Sequence, residues 1–241
     1  MSTTVHLFDL DQTLTDEGCH QPLVEAFGRN VPAFISRFLG ISREQAIKEN
    51  TALYRKHGST LYGLQAEHPD RFDPEEYFKA AFGGIDYSTV RKNEALIRAF
   101  RIRQEREPDL VNVIFTNSAG FYAHEMTRAI GIHEFFSHFL DPLSVGLIPK
   151  TNPAAFVRAC RHLDVPPYRA RMHEDLTANA RAAHEAGLET VLVLPGHKDI
   201  SLILLLDVDY VTCDLADFLA NPPRTVSRNH LRVWNPAGPR A

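Results

Sequence analysis

Two aspartates, one residue apart, close the first apolar run of the chain: Val5-His6-Leu7-Phe8-Asp9-Leu10-Asp11-Gln12-Thr13-Leu14. The run predicts a buried strand. Positions i and i+2 of a strand share a face, so Asp9 and Asp11 are expected to project together from its carboxyl end. Open parallel sheets bind ligands at that edge. Two crowded carboxylates need a shared proton or a cation. One oxygen nucleophile, one general acid and a place for Mg²⁺ are what phosphoryl transfer through an aspartyl-phosphate requires. A solvated acidic turn would read the same way, so the companions further along decide.

Three such companions stand in the chain. Phe115-Thr116-Asn117-Ser118 ends a second apolar run, Val111-Asn112-Val113-Ile114-Phe115. A hydroxyl, an Asn and exposed N–H groups at a strand-to-helix turn can bind a phosphate oxygen, though Thr and Asn also cap ordinary helices. Lys150 follows Gly146-Leu147-Ile148-Pro149 and precedes Asn152-Pro153, a helix start. Fixed there, a Lys could neutralise a phosphate and a nucleophile together. Glu174-Asp175 offers paired acids, the hard oxygen donors that suit Mg²⁺.

The elements that must position these residues alternate. Strands are predicted near 111–115 and 190–194, with a polar one at 169–173 and a short one at 210–212. Helices are predicted through Leu96, Ile97 and Phe100, at 122–130 and at 153–163. Strands alternating with helices of this length imply right-handed crossovers and a parallel sheet. Between the first and second strands, 21–87 reads as helical. Pro22 opens a run with Leu23, Val24, Phe27 and Val31, Ser42-Arg43-Glu44-Gln45 suggests a capping box, and Asp73-Pro74 a capped start. Such an insert would sit above the carboxyl edge of the sheet, placed as a lid.

Composition bounds the rest. The chain has 241 residues, 44% hydrophobic and 23% charged, with net charge -4. That is enough chain for a sizeable core and gives no field for nucleic acid polymers or an anionic membrane. Cys19, Cys160 and Cys213 lack CxxC spacing, which suggests reduced thiols and a cytoplasmic location. The apolar run 202–206 is too short to span a bilayer. The tail from Pro222 onward reads either as a loose extension or as an arm around a second subunit in a homodimer.

Taken together and in order, the four motifs resemble those of the haloacid dehalogenase-like phosphohydrolases, over nearly the whole chain. The resemblance implies an α/β fold, a Rossmann-like parallel sheet core flanked by helices (1–18 and 93–241), with an inserted all-helical cap (19–92). It implies that Asp9 is the nucleophile and Asp11 the general acid and base. Thr116, Asn117 and Lys150 would stabilise the phosphate. Mg²⁺ would be held by Asp9, the carbonyl of Asp11 and Asp175, with Glu174 indirect. Asp11 argues against dehalogenation, since dehalogenases of the family lack that second Asp and need no metal. The substrate would be a small phosphorylated metabolite.

A finer likeness lies in Tyr54-Arg55-Lys56-His57-Gly58-Ser59-Thr60-Leu61-Tyr62-Gly63-Leu64, which is similar to the cap of the pyrimidine 5′-nucleotidase branch. It implies a pyrimidine nucleoside monophosphate as substrate, with Tyr54, Lys56 and Thr60 contacting it. Gly58 and Gly63 also fit plain turn and packing roles. Leu176 stands where that branch usually has Ser, and the strand Arg169-Ala170-Arg171-Met172-His173 is polar for a buried one. Three alternatives therefore stay open: the nucleotidase, a phosphatase for a sugar phosphate or biosynthetic intermediate, and a catalytically weak binding protein. His173 reads as a satisfied core histidine, and His133 and His138 as loop residues on the surface.

Overall fold

The computed structural model describes residues 4–195, 207–222 and 232–234. The apolar run 202–206 and the remainder of the tail beyond Pro222 lie outside the described residues. The chain divides into two compact units, one of Met1–Asp16 with Arg91–Ala241 and one of Glu17–Val90. No helix among the described residues is long and apolar enough to cross a membrane.

The smaller unit is built from helices α1 (Glu17–Leu39), α2 (Arg43–His57), α3 (Thr60–Glu67) and α4 (Pro74–Ala81). Helix α1 starts five residues before Pro22, and Pro22 and Pro32 both lie inside it. Pro32 has no N–H to give the carbonyl of Gly28. The Arg43 guanidinium takes that carbonyl at 3.3 Å and the Arg29 carbonyl at 3.4 Å. The core of the unit is aromatic, with Phe34 edge-on to Tyr77 at 5.4 Å and Phe38 edge-on to Phe72 at 6.1 Å. Gly58 ends α2 at φ +79°, the left-handed region that glycine enters without strain. A Cβ on Gly63 would come within 2.9 Å of the Leu53 side chain. Both glycines therefore have turn and packing jobs.

Ser42 caps α2 as expected. Its hydroxyl accepts from the Gln45 N–H at 3.2 Å, and the Gln45 side chain accepts from the Ser42 N–H at 2.9 Å. Ser42→Ala is expected to destabilise this unit by about 1 kcal/mol. Chemical denaturation showing no loss would rule the cap out as a contributor.

Among the described residues, the larger unit holds one sheet of seven parallel strands, β1 (Val5–Phe8), β2 (Val111–Phe115), β3 (His138–Leu140), β4 (Ala170–Glu174), β5 (Glu189–Val193), β6 (Tyr210–Thr212) and β7 (Arg232–Trp234). Their spatial order is β3-β2-β1-β4-β5-β6-β7. The chain moves outward from β1 through β2 to β3, then returns to the other side of β1 as β4. The reversal falls between β1 and β4, where doubly wound sheets open a crevice at their carboxyl ends.

Period-two alternation divides the sheet into two faces. Val5, Leu7, Val113, Phe115, Ala170 and Met172 pack on one face against α7 (Pro153–His162) and α8 (Thr177–Glu185), through Phe156, Ala159 and Ala183. On the other face Phe8 meets Phe100 of α5 (Glu94–Arg106) edge-on at 5.5 Å and stacks on His173 at 4.2 Å. Phe218 of α9 (Leu215–Ala220) lies edge-on to His173 at 6.1 Å. Helix α6 (Gly120–Ala129) follows β2.

The polar strand β4 is accommodated by its neighbours. Arg171 pairs in register with Glu189 on β5, Nε to Oε2 at 2.6 Å. Buried His173 meets His6 of β1, Nε2 to Nδ1 at 3.0 Å. Burial, with Arg103 and Arg171 nearby, holds both rings well below the ordinary histidine range. The pair is therefore neutral, one ring donating to the other's lone pair. His173 is only half satisfied, because its Nδ1 has no partner. His133 is not a bare loop residue either. It pairs with His124 of α6 at 3.0 Å, while His138 is exposed in β3.

Candidate active site

Asp9 and Asp11 lie beyond the last residue of β1. The Asp9 N–H donates to the His173 carbonyl at 2.9 Å, carrying the strand direction one residue further. The chain then turns sharply. The N–H groups of Leu14 and Thr15 donate to the Leu10 carbonyl at 3.0 and 3.1 Å, and Gln12 sits at φ +64°. Thr15 Oγ1 accepts from the Gln12 N–H at 3.0 Å and holds this left-handed residue in place. The turn replaces the strand pleat, and the two carboxylates have different hydrogen-bond partners.

Asp9 points to Lys150, which comes from the loop ahead of α7. Lys150 is almost fully buried. Its Nζ donates to Asp9 Oδ1 at 2.5 Å, Glu174 Oε1 at 2.7 Å and the Phe115 carbonyl at 3.1 Å. All three ammonium donors are thereby used. Burial alone would lower the Lys150 pKa, but the charges of Asp9 and Glu174 outweigh it and hold it above its ordinary value. Glu174 is tied down further. Its Oε1 accepts from Asn179 Nδ2 at 2.7 Å, and its Oε2 accepts from the Leu176 N–H at 2.8 Å. The Leu176 side chain is 54% exposed, so its backbone serves this site while its apolar group faces outward.

Asp175 completes a cluster in which one oxygen each from Asp9, Glu174 and Asp175 lie within 4.8 Å of one another. Three carboxylates facing one ammonium leave excess negative charge. Burial, then Glu174 and Asp11, hold the Asp9 carboxyl well above the usual range against the pull of Lys150. Burial, then Glu174, push Asp175 up to about 7. An all-oxygen donor set with unbalanced charge fits a hard divalent cation. The Asp11 side chain is not part of this cluster. Its Oδ1 accepts from the Tyr122 hydroxyl at 2.7 Å and its Oδ2 from the Ser118 hydroxyl at 2.6 Å.

Thr116 is buried just past β2, its Oγ1 accepting from the Ser118 N–H at 3.0 Å, and Asn117 beside it is exposed. The expected residues of the helical unit differ in state. Tyr54 is 63% exposed. Lys56 and His57 both hold Glu67 Oε1, at 2.7 and 2.9 Å. Thr60 is buried and donates its hydroxyl to Asn50. Ser118 stands in the second motif without an assigned role, and Tyr122 only opens a predicted helix. Their spacing of four, at the mouth of a helix that follows a motif, was the only signal available.

The parallel α/β fold is shared with known structures. The chain is similar to a HAD phosphatase from Thermococcus onnurineus, with a TM-score of 0.59 and 19% identity, covering 89% of this chain and 95% of that one. It is also similar to CbbY from Rhodobacter sphaeroides in complex with phosphate, with a TM-score of 0.58 and 19% identity, covering 90% and 96%. At these identities the likeness shows the fold. The haloacid dehalogenase-like hydrolase family matches residues 4–187, and the chain belongs to that family. A glyceraldehyde 3-phosphate phosphatase from Methanopyrus kandleri is 28% identical over 207 residues, 79% of this chain and 83% of that protein.

Proposed function

We propose that this chain is a Mg²⁺-dependent phosphomonoesterase acting through an acyl phosphate on Asp9, on a small sugar phosphate. The supporting observation is the buried Lys150 bridge to Asp9 and Glu174 beside Asp175, with Asp11 held separately. Asp9, Glu174 and Asp175 would hold the cation, which would supply positive charge against the phosphate and keep Asp9 ionised. Asp9 attacks phosphorus in line, and Lys150 fixes the attacking carboxylate and offsets its charge. Asp11 gives a proton to the leaving alcohol, then takes one from the water that cleaves the aspartyl-phosphate. Thr116 and the Asn117 N–H bind the equatorial oxygens.

The sugar phosphate class is favoured by the Methanopyrus relative. A pyrimidine nucleoside monophosphate is the second reading, carried by the segment around Tyr54. The structure gives Gly58 and Gly63 of that segment jobs that any helical insert would need. Leu176, the sole feature favouring a weak binding protein, leaves its neighbouring carboxylate well held.

Phosphate release should be measured with Mg²⁺ across triose, pentose and hexose phosphates and nucleoside monophosphates. Turnover of a sugar phosphate that Asp9→Asn reduces at least about a thousandfold is expected, since the nucleophile has no substitute. Turnover confined to UMP and CMP would transfer the assignment to the nucleotidase. Turnover that survives Asp9→Asn would refute the mechanism.

A further inference from the structure

We infer that Ser118 and Tyr122 form a two-hydroxyl clamp that positions Asp11 for proton transfer in both halves of the reaction. The inference rests on the phosphatase reading above and adds two residues to it.

The geometry is specific. Each oxygen of Asp11 takes one short hydrogen bond, from Ser118 Oγ at 2.6 Å and from Tyr122 Oη at 2.7 Å. The donors themselves are anchored. The Ser118 N–H donates to Thr116 Oγ1 at 3.0 Å, so the clamp is tied to the proposed phosphate-binding turn. The Tyr122 ring is fully buried in the first turn of α6. That turn has no side-chain cap of its own, and Asp141, which follows β3, accepts from the Gly120 N–H at 3.2 Å. Two strand ends thus fix the helix mouth that carries the clamp.

The donor types fit the task. A group that protonates a leaving alcohol and later deprotonates water must be held in both states. An ammonium, guanidinium or amide N–H can only donate, so it could hold the acid only through its carbonyl oxygen and could never accept from its O–H. A hydroxyl donates to a carboxylate and accepts from a carboxylic acid. When Asp11 is protonated, one of the two hydroxyls goes on donating to its carbonyl oxygen while the other can turn to accept from, or release, the single O–H, with no movement of heavy atoms. Asp9, whose proposed role is to attack, is instead gripped by an ammonium.

The test compares leaving groups. The quantity kcat/KM reports steps up to formation of the aspartyl-phosphate, and a good aryl leaving group needs little proton donation while an alkyl alcohol needs much. Tyr122→Phe, which keeps the ring, is expected to lower kcat/KM for an alkyl phosphate about tenfold more than for p-nitrophenyl phosphate. Ser118→Ala is expected to show the same split and serves if the Tyr122 variant folds poorly by circular dichroism. Asp11→Asn gives the reference split, in the same direction and larger. Equal losses on both substrates, or no loss on the alkyl ester, would overturn the clamp while a split in Asp11→Asn left the mechanism standing. Failure of the unaltered protein to release phosphate from any ester would overturn both.

Discussion

Lys150→Met is expected to lower the unfolding free energy by about 3–5 kcal/mol at pH 8, the usual cost of removing one partner from a buried ion pair. Methionine retains most of the volume of the lysine, so a cavity contributes little. What changes is charge and hydrogen bonding. Asp9 and Glu174 lose the ammonium that bridges them at 2.5 and 2.7 Å, and the Phe115 carbonyl loses its donor. Asn179 and the Leu176 N–H still hold Glu174, which limits the damage there. The pH dependence has a definite sign. Asp9 is already raised above its unfolded value, and losing Lys150 raises it more. A carboxyl whose folded pKa is raised binds its proton more tightly in the folded state, so stability falls as pH rises through the folded value. The variant should therefore be closer to the parent at pH 6 than at pH 8. Urea denaturation at both values checks this. Equal stability of variant and parent at pH 8 would mean that the bridge contributes nothing.

The same residues show what a sequence can and cannot disclose. Strands β1, β2 and β5 are legible because their apolar runs are long enough to carry a pattern. Strand β3 is not, since His138–Leu140 has three residues and only its pairing with β2 defines it. The start of α1 is missed because Pro22 reads as a beginning, while the helix carries it inside. Compensation for Pro32 comes from Arg43, eleven residues on, which no local window contains. In the site, Asp9, Lys150, Glu174 and Asp175 are legible because ordered motifs mark them. The structure places Lys150 against Asp9 and Glu174, with Asp175 beside them. Ser118 and Tyr122 are hidden because their value depends on how far α6 is rotated relative to the turn after β1. The pleat rule does not reach Asp11 for a related reason. It holds only while the strand lasts, and β1 stops at Phe8.

Asp175→Asn is expected to act in opposite directions with and without metal. In the metal-free protein the side chain is a liability. Burial and the neighbouring Glu174 push its carboxyl up to about 7, so at pH 8 the folded state holds an ionised group it disfavours. Asparagine removes that charge, and its amide remains a hydrogen-bonding group of the same shape. After allowance for solvent screening of a partly exposed group, the metal-free variant should gain about 1–2 kcal/mol at pH 8. The gain should shrink as pH falls, because the parent's carboxyl takes up a proton and loses its disadvantage. With Mg²⁺ the order reverses. A cation present at about a hundred times its Kd stabilises the parent by about 2.7 kcal/mol. The variant, lacking one of three carboxylates, should show almost none of this. Thermal unfolding in EDTA and then in saturating Mg²⁺ at pH 8 measures both effects without relying on activity. A parent that ignores Mg²⁺ would remove the cation from the proposed mechanism. A variant that keeps the full Mg²⁺ response would instead leave the cation to Asp9 and Glu174 and take Asp175 out of the ligand set.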